Sequence, residues 1–138
     1  DMVQWDIAGE LEIEPVCQEL ECPQIYKIEG RYFLIFSCFY DLFSEKMKRK
    51  YGGRLRQTSY YMTADSFWGP YRFIPDFDIL PSTCEDDCQN TQYANQLIPW
   101  NGKWYITGTV WSDKGDYIAD CREVRDNKKE EIIYAGNA

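Results

Sequence analysis

Two stretches of the chain, ECPQIYKIEGRYFLIFS at residues 21–37 and YANQLIPWNGKWYITGT at residues 93–109, align without gaps at an offset of 72 residues. Gly30 of the first copy falls on Gly102 of the second. Each copy reads as a strand, a tight turn at the glycine, and a second, more apolar strand. A glycine turn between apolar runs is typical of a β-hairpin, because a type I′ turn needs positive φ at both central residues. The repeat therefore predicts two equivalent hairpins.

Further strand-like segments follow each hairpin. Residues 60–65 (YYMTAD) resemble residues 116–120 (DYIAD), and each predicts a third strand. A fourth strand is expected near residues 71–74, and residues 131–134 (EIIY) would supply the last edge strand of the second copy. Four antiparallel strands in each repeated unit are the pattern of propeller blades. The sequence therefore predicts an all-β fold, a partial β-propeller, with a two-layer β-sandwich built from the same hairpins as the alternative.

The repeat also sets the expected blade boundaries. Residues 1–15 are expected to be the tail of a preceding blade, residues 16–82 one blade, and residues 83–138 the next. The first blade carries an insertion whose basic cluster, Lys46–Arg56, is interpreted as a solvated loop. Because two blades cannot enclose a channel, we expect either a longer protein or another chain to complete the ring. The chain alone is expected to self-associate, since unpaired blade edges are templates for pairing.

Composition narrows the classes of function. The net charge of −8 argues against nucleic acid, whose phosphates attract a basic surface. No apolar run approaches the roughly 20 residues that a membrane span needs, so no membrane partner is expected. The sequence contains no His, which removes Ser-His-Asp and Cys-His catalysis and the ordinary zinc sites. Acid–base chemistry must therefore rest on carboxylates, Tyr, Lys or Cys, and no cofactor is expected.

The six cysteines leave the cellular compartment open. Cys84 and Cys88 flank an acidic loop and are interpreted as free thiols or as a small disulfide. A metal site is the least favoured alternative, because no second pair at ligand spacing accompanies them, and no metal ligand is assigned. Buried, reduced Cys is the common state in strands, which tilts the expectation towards the cytoplasm, with secretion as the alternative. The other four lie in or beside strand-like segments: Cys17, Cys22, Cys38 and Cys121.

The repeat also suggests where a site would lie. In a propeller the innermost strand of each blade lines the central channel, and its first residues project towards one mouth, where such folds place ligands. Glu21 precedes Pro and an apolar strand, so it can be partly desolvated, which favours the neutral form that a general acid needs. Glu21 is the candidate catalytic residue, and five others are candidate substrate-binding residues. These are Cys22, Gln24, Tyr93, Asn95 and Gln96.

Three motifs suggest a family. They are DMVQW at residues 1–5, Glu-Cys-Pro at residues 21–23 before an apolar strand that ends in Phe-Ser, and Tyr-Ala at residues 93–94. In this order, over roughly residues 1–125, they resemble glycoside hydrolase family 32, which includes invertases, levanases, inulinases and sucrose-6-phosphate hydrolases. The related family 43 shares its five-bladed propeller fold and a Glu acid, so it is the neighbouring alternative.

The resemblance implies a retaining hydrolase that acts on fructosyl bonds of a disaccharide or an oligosaccharide. An Asp attacks the anomeric carbon, while Glu21 protonates the leaving oxygen and then activates water. The family's Asn-Asp-Pro-Asn nucleophile motif and its Arg-Asp-Pro motif are absent here, and Leu20 replaces the Trp that usually precedes the Glu. We therefore expect the chain alone to be inactive. The alternatives are a non-catalytic carbohydrate-binding propeller, whose Tyr and Trp stack on sugar rings, and a protein-interaction propeller.

Overall fold

A computed structural model of the chain describes residues 4, 6–52, 55–73, 92–110, 115–126 and 132–134. The elements are β1 (Glu21–Ile28), β2 (Arg31–Cys38), a 3-10 turn (Tyr40–Leu42), α1 (Glu45–Tyr51), β3 (Thr58–Ala64), β4 (Arg72–Phe73), β5 (Gln92–Trp100), β6 (Lys103–Val110), β7 (Tyr117–Ile118), β8 (Arg122–Asp126) and β9 (Ile132–Tyr134). Some sequence predictions fall on residues outside the described part. These are the motif at residues 1–5 apart from Gln4, the end of the predicted fourth strand at Ile74, the Cys84 to Cys88 loop, and Glu131.

The strands form two antiparallel sheets. The first has the order β1-β2-β3-β4, and the second has the order β5-β6-β8-β9, with β7 also paired to β6. The predicted all-β fold of antiparallel sheets is therefore confirmed, and within the described residues the first sheet has four strands and the second has five. The blade boundaries that the sequence suggests stay a prediction, because residues 74–91 between the sheets are outside the described part.

One strand differs from its prediction. The third strand of the second unit was expected over residues 116–120, but that position is shared by two strands. β7 pairs with one end of β6 through Tyr117 and Ile118, while β8 pairs with the other end through residues 122–124. The regular ladder is interrupted between Ile118 and Arg122, although the Ala119 N–H still donates to the Gly108 carbonyl of β6 at 2.8 Å.

The two hairpin turns have the predicted geometry. Glu29 and Gly30 have φ of 48° and 94°, and Asn101 and Gly102 have φ of 49° and 74°. Positive φ at both central residues is the signature of a type I′ turn, whose twist matches that of the flanking strands. The equivalent turns set the same register in both hairpins.

β1 and β5 also share a β-bulge near their first residues. The strand register breaks after Glu21 and after Tyr93, and the next residues, Cys22 and Ala94, have φ of 48° and 51°. Pro23 lies within the first bulge, where a strand tolerates Pro because the ladder is already interrupted. The two copies of the internal repeat therefore share a β-bulge at the same position, as well as the hairpin turn.

The second bulge is hydrogen-bonded to the first sheet. A bulge removes backbone amides from their own ladder, and here the amide of Ala94 donates to Ser37 Oγ at 2.9 Å. The amide of Asn95 donates to Ser59 Oγ at 3.1 Å. The two serine hydroxyls lie 2.8 Å apart on neighbouring strands and hydrogen-bond to each other. A buried amide without such a partner would cost about 1–3 kcal/mol, so these serines fix where the second sheet docks.

Apolar side chains from both sheets form one core between them. Phe33 and Ile35 of β2 and Leu97 and Ile106 of the second sheet are at most 4% exposed and belong to one cluster. At the edge of this core, Tyr26 meets Trp104 edge to face, with 5.6 Å between ring centroids. The sheets are therefore packed face to face, as neighbouring blades are.

The insertion in the first unit contains α1 (Glu45–Tyr51), whereas the sequence predicts a solvated loop over Lys46–Arg56. Ser44 caps α1, because its side-chain oxygen accepts from the Met47 amide at 3.3 Å. Glu45 in the first turn and three basic residues in the last complement the helix dipole. Met47 is 5% exposed and belongs to the core, which explains why the segment is ordered against the sheet. Within the described residues, no helix has the length and apolar character needed to cross a membrane.

The outer face of the second sheet exposes apolar side chains. Alternate residues of a strand share a face, so Ile98 and Trp100 lie together, and they are 39% and 65% exposed. Their repeat equivalents in the first sheet are Tyr26 and Ile28. Tyr26 faces the second sheet, because its hydroxyl accepts from the Leu97 amide at 3.3 Å, and Ile28 is 1% exposed. The same positions are thus covered in one sheet and open in the other.

We expect this open face to drive self-association of the chain. Replacing both Ile98 and Trp100 with Lys should lower the apparent molecular mass in dilute solution, because burial of apolar side chains drives the contact. Ile118→Lys is the matched control, since Ile118 is 70% exposed on a different strand. Light scattering measures the effect. A wild-type chain that stays monomeric, or a double variant that associates as strongly as the wild type, would contradict the prediction.

Candidate functional site

Glu21 and Tyr93 lie together where β1 and β5 begin. The Tyr93 hydroxyl donates to Glu21 Oε2 at 2.5 Å. Tyr93 is 5% exposed, while Glu21 is half-buried. A hydrogen bond to an ionised carboxylate at this length is of the strong, charge-assisted kind. The repeat led us to expect these two strand starts to converge, and the structure brings this pair into contact.

The serine contacts explain why the pair meets. Ser37 is the ladder partner of Glu21, and its hydroxyl also binds the amide of Ala94, the residue after Tyr93. The Tyr93 ring packs against Phe39, with 5.5 Å between centroids. Glu21 and Tyr93 therefore belong to two sheets but are positioned by one residue, Ser37, that contacts both strands.

Burial and the neighbouring carboxylate raise the pKa of Tyr93 well above its ordinary value. Burial is the larger cause, because it disfavours the charged phenolate. The hydrogen bond to Glu21 acts in the same direction, since the phenol must keep its proton to donate. Tyr93 is therefore a fixed proton-bearing donor to one oxygen of Glu21 across the neutral pH range.

The other predicted sugar-binding residues are placed differently from one another. Cys22 and Gln96 have exposed side chains. Gln24 accepts a hydrogen bond from the Tyr26 hydroxyl, so its side chain is engaged at the contact between the sheets. Neither Cys22 nor Gln96 lies in the core: Cys22 is within the first bulge, and Gln96 directly follows the second, where a strand changes the direction of its side chains.

Asn95 is buried, in contrast to the expectation that it would line a pocket. It is 1% exposed, and its Nδ2 donates to Gln92 Oε1 at 2.8 Å and to the Thr107 carbonyl at 3.0 Å. A Cβ at position 108 would lie 2.3 Å from Asn95 Nδ2, so Gly108 makes room for this side chain. The bulge formed by Ala94 and Asn95 shifts the alternation of faces, which turns the Asn95 side chain into the interior.

Sequence reasoning missed one feature next to Glu21, the pair Ser37 and Ser59. These two serines position the second strand, but in the sequence they are only polar residues within apolar strands. Pro23 inside a strand was the one available signal for a bulge. Among the described residues, no group of three or more acidic, Cys or His side chains could hold a metal ion.

Comparison with solved structures gives clear matches of fold. The GH43 BlXynB protein from Bacillus licheniformis superposes with a TM-score of 0.57 and 18% identity, over 94% of this chain and 23% of that chain. Bacillus subtilis levansucrase superposes with a TM-score of 0.54 and 14% identity, over 89% of this chain and 29% of that one. The xylan beta-1,4-xylosidase from Bacillus halodurans C-125 superposes with a TM-score of 0.54 and 17% identity, over 84% of this chain and 22% of that chain. No family model and no curated protein sequence matches the chain.

The chain has the fold of part of a β-propeller. The compared proteins are five-bladed propeller glycoside hydrolases, and the chain spans less than a third of each. At these identities the likeness establishes the fold alone. It agrees with the propeller fold that the family resemblance implies, without singling out family 32.

The raised pKa of Tyr93 predicts a stability effect at alkaline pH. A phenol whose pKa is higher in the folded chain than its ordinary value of 10.0 stabilises the fold fully below pH 10 and loses this contribution as the pH rises further. We expect the free energy of unfolding of the wild type to fall more steeply above pH 10 than that of Tyr93→Phe, by up to about 1.4 kcal/mol per pH unit. Urea unfolding followed by Trp fluorescence measures both slopes.

Tyr117→Phe is the matched control, because Tyr117 is 54% exposed. The result to compare is the free energy of unfolding plotted against pH, over the alkaline range in which the wild type remains folded. Parallel plots for the wild type and Tyr93→Phe would contradict a Tyr93 phenol that is held protonated by burial and by Glu21.

Proposed function

We propose that the chain is part of a retaining glycoside hydrolase that acts on fructosyl linkages of the sucrose or fructan type, with Glu21 as its general acid/base. The observation that carries the proposal is the contact between Glu21 Oε2 and the Tyr93 hydroxyl at the start of two adjacent inner strands. It is supported by the propeller fold shared with glycoside hydrolases and by the Glu-Cys-Pro motif.

The geometry suits a carboxyl group that gives and takes a proton. In the first step, protonated Glu21 donates to the leaving glycosidic oxygen while a nucleophilic Asp, supplied from outside this chain, attacks the anomeric carbon. In the second step, the Glu21 carboxylate takes a proton from the attacking water. Tyr93 occupies Oε2, which leaves Oε1 to exchange the proton with the substrate. Tyr93 is thus proposed as a positioning residue.

The proposed contacts to the sugar come from exposed residues beside Glu21. Cys22 and Gln96 have exposed side chains at the two equivalent bulges. Gln24 and Asn95 are engaged in hydrogen bonds at and behind the contact between the sheets, so we propose that they support the wall of the site. Of the five predicted substrate-binding residues, Cys22 and Gln96 are therefore the two that we propose to contact the sugar.

A second substrate class is favoured by a specific observation. Two of the compared proteins are a GH43 protein and a xylan beta-1,4-xylosidase, with TM-scores of 0.57 and 0.54. Xylosyl linkages are therefore the alternative to fructosyl ones. The non-catalytic carbohydrate-binding propeller is the alternative outside catalysis, since the second carboxylate of a glycosidase is not assigned within this chain.

The test uses the complete protein to which this chain belongs. Sucrose, inulin, levan and xylo-oligosaccharides are assayed with the wild type, with Glu21→Gln and with Glu29→Gln, a control on the exposed hairpin turn. We expect hydrolysis of a fructosyl substrate, a loss of about 10²–10⁴-fold in kcat/KM for Glu21→Gln, and wild-type activity for the control.

Several outcomes would overturn parts of the proposal. Wild-type turnover by Glu21→Gln would remove Glu21 from catalysis. Hydrolysis of xylo-oligosaccharides alone would retain the acid/base role but replace the substrate class. Binding of a sugar without turnover of any substrate by the complete wild-type protein would favour the non-catalytic module.

A further inference from the structure

A pocket of about 220 Å³ lies at the end of the first sheet that is opposite Glu21. Glu21 pairs with Ser37 at the open end of the first hairpin, whereas Arg31, which lines the pocket, pairs with Ile28 beside the hairpin turn. The eight residues of β1 lie between the two positions and span roughly 25 Å. The pocket is therefore separate from the candidate acid.

Two exposed aromatic side chains lie on the turn that forms one wall of this pocket. Ser66 and Gly69 line the pocket, and the residues between them, Phe67 and Trp68, are 44% and 45% exposed. Their rings meet edge to face, with 5.1 Å between centroids. Phe67 also meets Tyr32 edge to face, at 6.0 Å. The turn thus presents aromatic surface to the solvent beside a polar pocket.

Hydrogen bonds and packing hold this turn in place. The Trp68 carbonyl accepts from the Glu12 amide at 2.8 Å, and the Phe67 carbonyl accepts from the Tyr71 hydroxyl at 3.0 Å. Gly9 packs against the Trp68 ring, since a Cβ at position 9 would lie 2.9 Å from Trp68 Cζ3. A ligand that stacks on a ring already held in this way loses little free energy to ordering it.

The charged side chains at the pocket are paired with each other. Arg31 Nη1 lies 3.7 Å from Asp65 Oδ1, and Arg72 Nη2 lies 3.6 Å from Glu12 Oε1. The side chains of Asp65 and Arg72 are 95% and 58% exposed, so both pairs stay open to a ligand. Guanidinium groups donate hydrogen bonds and carboxylates accept them. The pocket therefore offers both kinds of group without an excess of either charge.

This combination of groups favours a neutral sugar as the ligand. A pyranose ring has a face of C–H groups that stacks on the negative face of an aromatic ring, and its hydroxyls both donate and accept hydrogen bonds. An anion would meet the two carboxylates, and a cation would meet the two guanidinium groups. A purely apolar ligand would remove water from the ion pairs and return no hydrogen bond.

We infer that this pocket and the turn at Phe67 and Trp68 form a carbohydrate-binding site that takes one residue of a neutral pyranose oligosaccharide. The sugar ring stacks on Trp68, and its hydroxyls bind Arg72 and Asp65. The inference goes beyond the proposed hydrolase activity and does not rest on it, because the site lies at the other end of the sheet from Glu21.

Fluorine NMR of the complete protein to which this chain belongs tests the inference at Trp68 itself. The protein carries 5-fluorotryptophan and Glu21→Gln, so that no glycosidase activity consumes the probe, xylohexaose. The Trp68 signal is the one that Trp68→Phe removes. We expect this signal to shift with added xylohexaose until the shift saturates. The signal of Trp100, a Trp that is 65% exposed on the second sheet, should stay in place.

Arg72→Ala tests the polar wall of the pocket. Loss of a charged donor should raise the xylohexaose concentration at half-saturation by about tenfold or more. Arg125→Ala is the matched control, because Arg125 is an exposed Arg of β8, and it should leave half-saturation unchanged. Circular dichroism checks that both variants are folded, and the Trp68 shift is measured with the pocket residues unchanged.

Four results would overturn the inference. A Trp68 signal that stays in place at every xylohexaose concentration would show that the turn binds no such sugar. Equal shifts of the Trp68 and Trp100 signals would show unspecific contact with exposed Trp. Half-saturation at a lower concentration of hexagalacturonate, an anionic oligosaccharide of the same length, would indicate an anion site instead. Unchanged half-saturation in Arg72→Ala would exclude the pocket from the site.

Discussion

The hydrogen bonds from two bulge amides to two serines hold the structure in its arrangement. Ala94 and Asn95 leave their own ladder, and Ser37 and Ser59 of the first sheet accept their amide protons. Without these bonds, two amides at the contact between the sheets would be unsatisfied, at about 1–3 kcal/mol each. These bonds fix the position of the second sheet on the first. Tyr93 directly precedes Ala94, so the same bonds also hold Tyr93 beside Glu21.

The repeat predicted the fold well, because its information is local. A Gly turn and alternating apolar residues determine a hairpin from within a few residues, and both hairpins have the expected turns. The split between β7 and β8 could not be predicted in this way, since the apolar pattern of DYIAD fits a full strand equally well. The basic segment after Ser44 was misread for a related reason. Its two buried residues among those that the structure describes, Met47 and Leu55, can be recognised as core residues only once the sheet that covers them is in place.

The candidate site was predictable to the extent that it follows the repeat. Equivalence of strand starts predicts that Glu21 and Tyr93 approach a common pocket, and the structure has the two in contact. Asn95 was expected in the same pocket, but it is 1% exposed. A bulge adds one residue to a strand, and a shift of one residue sends the following side chains to the opposite face. Asn95 therefore packs beneath Gly108, where a sugar has no access. What the site gains from the second blade is a buried phenol that donates to the candidate acid, a role that the sequence alone did not assign to Tyr93.

Hydrogen exchange at the docking point tests this account most directly. The amides of Ala94 and Asn95 have no ladder partner of their own, so their protection depends on the serine hydroxyls. NMR exchange rates are predicted to be slow for both amides in the wild type, and the Asn95 amide should exchange faster in Ser59→Ala while amides of the β1–β2 ladder keep their rates. Exchange of both amides as fast as that of the exposed turn residue Gly102 in the wild type would contradict the account.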